Sequence, residues 1–247
     1  MGIPDFANEP LAKPAPSPSQ VEDLVTVIPS PSTAFEHRRD GKFGLAMLVL
    51  TVIMIVISFL SRASMAPIFE GEFARNMKVQ MAKNPQITAE MVDKMSHSAG
   101  TYAWIAAVFT PLLLIVIGLA LWLSGKLVGS RQTATQGIAV ATFAFVPRVI
   151  GAIFGWAQTL FMSPDTLNGM MRISASPARF LDPDVASPIT IALLGRFDIF
   201  VIWSTILLAI GLSVTGQVTR KQGAVGAFVV WLLATAFAMA GAMRNMA

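Results

Sequence analysis

The chain has 247 residues, of which 54% are hydrophobic and 13% charged, with a net charge of +4 and no cysteine. Soluble domains carry about a quarter charged residues, so this composition points to an integral membrane protein. It also excludes disulfides, thiolate metal sites, iron–sulfur chemistry and a lipoprotein anchor. The basic residues are scattered through loops, without a Lys/Arg block, so they read as charges that hold loops on one side of a bilayer. No nucleic-acid partner is expected.

Residues 1–34 hold seven of the fifteen prolines and the patch "KPAPSPS". Such a segment buries too little apolar surface to offset its ordering entropy, and it reads as a disordered cytoplasmic tail. With no apolar stretch followed by a small-residue cleavage site, it is not a secretory signal peptide. Residues 35–247 then form the membrane domain. Five apolar segments lie at about 43–60, 102–123, 136–161, 189–215 and 223–243. Each reaches the roughly 18–20 residues that cross about 30 Å of hydrocarbon as a helix. The fourth is interrupted by "GRFDIF". The expected fold is an all-α integral membrane protein with five transmembrane helices.

The short connections carry Lys126, Arg131, Arg220 and Lys221 without an acid, and His37, Arg38, Arg39 and Lys42 precede the first segment on the same side. The positive-inside rule puts this face and the N-terminus in the cytoplasm, and the odd number of passes puts the C-terminus outside. The two long loops, about 61–101 and 162–188, then lie outside. Phe69, Phe73, Met77 and Met81 recur every four residues, and Met91, Val92 and Met95 follow "NPQIT". These stripes predict two short amphipathic helices over about 66–97 on the outer membrane face. The second loop is rich in turn formers and reads as irregular.

The stretch "FAFVPRVIGAIFGW" places Arg148 behind Pro147 within an apolar run. Counted along straight helices, Arg148 lies roughly 18 Å from the cytoplasmic end of the third segment and Asp198 roughly 14 Å from the outer end of the fourth. Intramembrane charges are costly unless paired, so a buried Arg148–Asp198 pair is the economical reading, with Arg196 snorkelling or sharing the carboxylate. Such a pair fixes helix register; the alternative use is an ion or proton site beside the Pro147 kink. Pro111 is a second expected kink. Gly151 and Gly155 form a small-xxx-small pattern for close helix approach. Ala234, Ala238 and Gly241 offer another small-residue side, for internal packing or for a partner subunit.

Met77, Met81, Met91, Met95 and His97 together have the soft ligands that can hold Cu(I). Methionine at helical spacing is more simply amphipathic packing, so no metal site is expected, and no cofactor. No HExxH, GxSxG, GxxxxGK or GxGxxG motif occurs, and no enzymatic activity is expected. Asp182 and Asp184, in "FLDPDVASP", flank Pro183 and read as a turn or a loose cation site.

"SPSTAFEHRR" before the first span, the proline within the third, "FLDPDVASP" before the fourth, and "FDIFVIW" and "LLAIGLS" within it resemble the bacterial branch of the Yip family, the Ypt/Rab-interacting membrane proteins. The resemblance covers about residues 28–245, and Asp198, Phe200, Trp203 and Gly211 match best. It implies five transmembrane helices with a cytosolic N-terminus, in agreement with the loop charges. The Asp-Leu-x-Gly-Pro motif of the eukaryotic relatives, which associate with prenylated GTPases, is absent. Bacterial relatives have no assigned catalytic residues, and some are similar to accessory subunits of ABC-type exporters and their membrane-fusion adaptors. The resemblance thus implies a multi-pass protein of the bacterial inner membrane, an accessory or assembly subunit whose partners are lipid and other membrane subunits. The rival readings are a small channel or transporter using Arg148 and Asp198, and a lipid-binding, membrane-shaping protein.

Overall fold

The structure, a computed structural model, describes residues 18–84, 86–88, 90–92, 95, 103–163 and 166–244. Among these, every regular element is a helix, and five passes are long and apolar enough to span a membrane. The chain begins with two short helices, α1 (Gln20–Thr26) and α2 (Pro31–His37). Both fall in the segment expected to be disordered to residue 34, and that expectation is corrected for residues 18–34; residues 1–17 lie outside the described residues. A capping box starts α1: Ser19 Oγ accepts from the Glu22 N–H while the Glu22 carboxylate accepts from the Ser19 N–H. A proline in its first turn starts α2. The apolar side chains Val27, Ala34 and Phe35 are fully buried, which offsets the ordering cost of a Pro/Ser-rich stretch.

The first pass, α3 (Gly44–Lys83), is one helix of 40 residues that continues through Pro67. At 1.5 Å per residue it is about 60 Å long, twice the hydrocarbon thickness. The stripe Phe69–Phe73–Met77–Met81 is therefore a continuation of the first span, not the separate amphipathic helix expected from the sequence. The second pass is a 3₁₀ segment, Ala103–Phe109, leading into α4 (Thr110–Leu127). Pro111 lies in the first turn of α4, where its missing N–H has no helical partner to lose, so it starts the helix and does not kink it.

The third pass is broken into α5 (Ala134–Phe143) and α6 (Val146–Thr159). Pro147 occupies the first turn of α6, and Ala144 and Phe145 between the two helices keep right-handed helical backbone angles, so the interruption is a two-residue bend at the proline, where the kink is expected. The fourth pass is broken as well, into α7 (Pro188–Gly195) and α8 (Ile199–Gly216), and α9 (Arg220–Arg244) is the fifth. The pass made by α5 and α6 is central: 61% of it is buried, against 28% for the second and fifth.

One face carries α1, α2 and the connections 128–133 and 217–219. Arg131 N–H donates to the Gly216 carbonyl, Gln222 Nε2 to Val128 O and Gln136 Nε2 to Arg39 O, so these two connections and the segment after α2 are tied together. We call it the amino-terminal face, and the opposite one the far face. Helices in the amino-terminal half approach closely. A Cβ on Gly118 would meet the backbone of Ile138, and one on Gly211 would meet Val140 and Phe35. Van der Waals packing at such small residues is what holds helices together in a lipid solvent.

Candidate functional site

In the far-face half the helices diverge around a cavity of about 830 Å³, lined by α3, the start of α4, α6, α8 and the turns at 170–175 and 195–198. Its walls are mostly apolar, but Arg62, Arg148, Arg196 and Asp198 all line it. Both broken passes contribute: Arg148 comes from the first turn of α6 and Asp198 from the residue that starts α8.

Asp198 is the N-cap of α8. Its Oδ1 accepts from the N–H groups of Phe200 (2.9 Å) and Val201 (3.4 Å), and its Oδ2 accepts from the Ala175 N–H (2.8 Å). The carboxylate thus satisfies orphan donors at a helix start and staples the 170–175 turn to the fourth pass. It stands at the far end of an 18-residue helix, about 27 Å from the other end. A single helix over 189–215 predicts mid-membrane depth for Asp198; the break places it at the end of the span instead. The signal was present in the sequence: Asp before an apolar run is a helix-start signature.

The expected Arg148–Asp198 ion pair is not formed. Among the described residues the ion pairs join Asp23 to His37 and Arg38, Asp40 to Lys42, and Asp184 to Arg75. Arg148 lies in the first turn of α6, is exposed to the cavity, and makes no hydrogen bond or ion pair with another described residue. Arg196 does not share the carboxylate either. Its Nε donates to Thr235 Oγ1 (3.1 Å), its carbonyl accepts from Trp231 Nε1 (3.3 Å), and its guanidinium lies 5.9 Å from the Trp231 ring centroid. Arg62, which the sequence did not single out, sits with its guanidinium 3.8 Å from the Phe59 ring centroid and donates to the Phe59 carbonyl.

The small residues have separate uses. A Cβ on Gly151 would lie 2.9 Å from the Phe200 ring, and one on Gly155 would lie 3.5 Å from Ile173, so this pair packs α6 inside the molecule. Trp203 is half-buried against the core and Gly211 is buried. By contrast Ala234 is exposed and a Cβ on Gly241 would meet nothing, while Ala238 is half-buried and lines the cavity, so the small-residue side of α9 is uncovered at Ala234 and Gly241. Met77 and Met81 lie half-buried on α3, Met91 and Met95 are exposed, and His97 lies outside the described residues. No group of three or more His, Asp or Glu with metal-binding spacing occurs among the described residues. Asp182 Oδ1 accepts from the Asp184 N–H (3.0 Å), the turn geometry that the Pro183 spacing suggested.

At the amino-terminal face the sequence reading missed a polar cluster. Asp23 is fully buried; its Oδ2 lies 2.6 Å from Arg38 Nε and its Oδ1 2.8 Å from His37 Nδ1. Arg38 also donates to the Pro18 carbonyl. The motif "STAFEHRR" therefore docks α2 twice, through Phe35 against Gly211 and Val140 and through His37 and Arg38 onto α1.

The architecture defines a polytopic helical membrane protein with five passes, two of them broken, around an arginine-lined cavity. The family model of the Yip1 domain matches residues 25–242, and the chain belongs to that family. It is 25% identical over 224 residues to Membrane protein YknW of Bacillus subtilis (strain 168), covering 90% of each chain. No solved structure matches it.

Proposed function

We propose that this protein is a non-enzymatic accessory or assembly subunit of a larger complex in the bacterial inner membrane, with an ABC-type exporter and its membrane-fusion adaptor as the partner class. In this reading the amino-terminal face is cytoplasmic, supported by the Lys126, Arg131, Arg220 and Lys221 loops and the positive-inside rule, and the far face is outside. The observation that carries the reading is α3, whose 40 residues exceed the roughly 20 needed to cross the bilayer. Its extension is tied to the second long loop: Glu72 Oε1 accepts from the Met170 N–H (2.7 Å), Arg75 pairs with Asp184 (3.5 Å), and Ile68, Leu167 and Ile173 share a small core. An ordered platform beyond the membrane suits docking of another subunit. The uncovered small-residue side of α9 suits close approach by a partner helix, and the likeness of some bacterial relatives to exporter accessory subunits favours the same role.

The test is affinity purification of the full-length protein from its native membrane in mild detergent, with mass spectrometry of everything retained. Stoichiometric exporter subunits are expected. Recovery of this chain alone would overturn the reading.

A further inference from the structure

Among the described residues, the lining of the far-face cavity carries more positive than negative charge. Three guanidinium groups, those of Arg62, Arg148 and Arg196, border it, and one carboxylate, Asp198. That carboxylate is held by three backbone N–H groups, and its one negative charge acts on Arg148 across the cavity without an ion pair, so the positive charge of the lining still exceeds the negative. Among the described residues Arg148 has no hydrogen-bond partner, and Arg196 uses its Nε on Thr235 and has none for its terminal nitrogens. Unpaired guanidinium groups next to hydrocarbon are costly, so the arrangement calls for an anion.

The walls specify what kind of anion. Apart from these charges and the hydroxyls of Ser58, Ser61, Thr110 and Ser174, the lining is apolar. At the rim, Phe109 is 60% exposed and Leu113 48% exposed, which makes the cavity continuous with the lipid outside. A small hydrated anion would gain nothing from these walls. A planar guanidinium fork matches phosphate oxygens bidentately, and 830 Å³ is in the range of sites that enclose a headgroup-sized ligand.

We propose that the cavity binds a membrane phospholipid with a net anionic headgroup. Arg148 and Arg196 take the phosphate, Arg62 completes the cationic ring, and the acyl chains leave past Phe109 and Leu113. The inference is independent of the accessory-subunit reading, because the ligand comes from the bilayer and not from a partner protein.

The test uses full-length protein purified in mild detergent, with retained phospholipid quantified per chain by mass spectrometry. The variants are R148Q, which removes a phosphate ligand, L113W, which fills the apolar rim with every charge intact, and K221Q, a charge loss on the amino-terminal face. The wild type and K221Q are expected to retain a phospholipid in stoichiometric amount, and R148Q and L113W several-fold less, at equal folded fraction by circular dichroism. Equal retention by all four would overturn the site. A second measurement follows the thermal midpoint of delipidated wild type with added phosphatidylglycerol or inorganic phosphate. The lipid should raise the midpoint and the inorganic ion should not. Equal protection by inorganic phosphate would make this a free-anion site and overturn the lipid assignment. Should R148Q or L113W fail to fold, this wild-type comparison decides alone.

Discussion

The two halves of the molecule handle buried polar residues in opposite ways. In the amino-terminal half the helices close on one another at Gly118 and Gly211, Phe35 fills the gap they leave, and the buried charges of Asp23 and Arg38 face each other. In the far-face half two passes break, the helices part around the cavity, and the arginines that border it form no ion pair among the described residues. Paired charges and tight glycine crossings make a rigid base. Helix breaks that carry polar residues make a place for a ligand, as non-helical backbone in membranes is tolerated where it lines a cavity.

Substitutions should separate the halves. Removing one member of the closed half's buried pair has the largest expected effect. Asp23→Ala leaves Arg38 uncompensated and should cost about 3–5 kcal/mol, read as a lowered midpoint of denaturant unfolding in detergent. A value within error of wild type would mean that α1 and α2 are not anchored as described. Gly118→Val forces a side chain into the Ile138 backbone and should cost about 1–3 kcal/mol, measured in the same way. In the open half, Asp198→Asn keeps the capping oxygen toward Phe200 and Val201 but sets an amide nitrogen against the Ala175 N–H, and should cost about 1–2 kcal/mol. If Asp198 were instead the counter-ion of Arg148, the same change would approach the cost of the Asp23 variant. The smallest loss belongs to Arg148→Gln: no partner within the described residues is left unpaired and a costly unpaired guanidinium is removed, so the delipidated variant should be no less stable than delipidated wild type in the same denaturant titration.

How much of this could be read from the sequence follows from which interactions are local. The five spans and the family follow from hydropathy and from "FLDPDVASP" and "FDIFVIW", which are contiguous in the chain. The helix breaks were partly legible. Pro147 and Pro111 each mark a helix start as readily as a kink, and Asp198 before Ile199 is a capping pattern, but the apolar octet Pro188–Gly195 hides the break within one long hydrophobic run. Ser19 and Glu22 spell a capping box that the proline content of the tail obscured. The Asp23–Arg38 pair, the placement of Phe35 at Gly211 and the inclusion of Arg62 in the cavity depend on tertiary contacts between distant segments, which no local pattern encodes. The length of α3 is likewise set by packing beyond the bilayer, where hydropathy falls and Pro67 suggests an end.

The contrast between a sealed half and an open, positively charged half can be measured directly, because the chain has no cysteine. Ala152→Cys sits on the cavity wall one turn beyond Arg148, and Ala139→Cys replaces a fully buried residue of α5. Delipidated protein in detergent would be treated with an anionic and a cationic methanethiosulfonate of similar size, and labelling rates followed by mass spectrometry. The account predicts that the residue 152 thiol reacts, faster with the anionic reagent than the cationic one, and that this preference disappears when Arg148→Gln is added. The residue 139 thiol should stay unlabelled. Labelling at 139 comparable to that at 152, or no charge preference at 152, would contradict it.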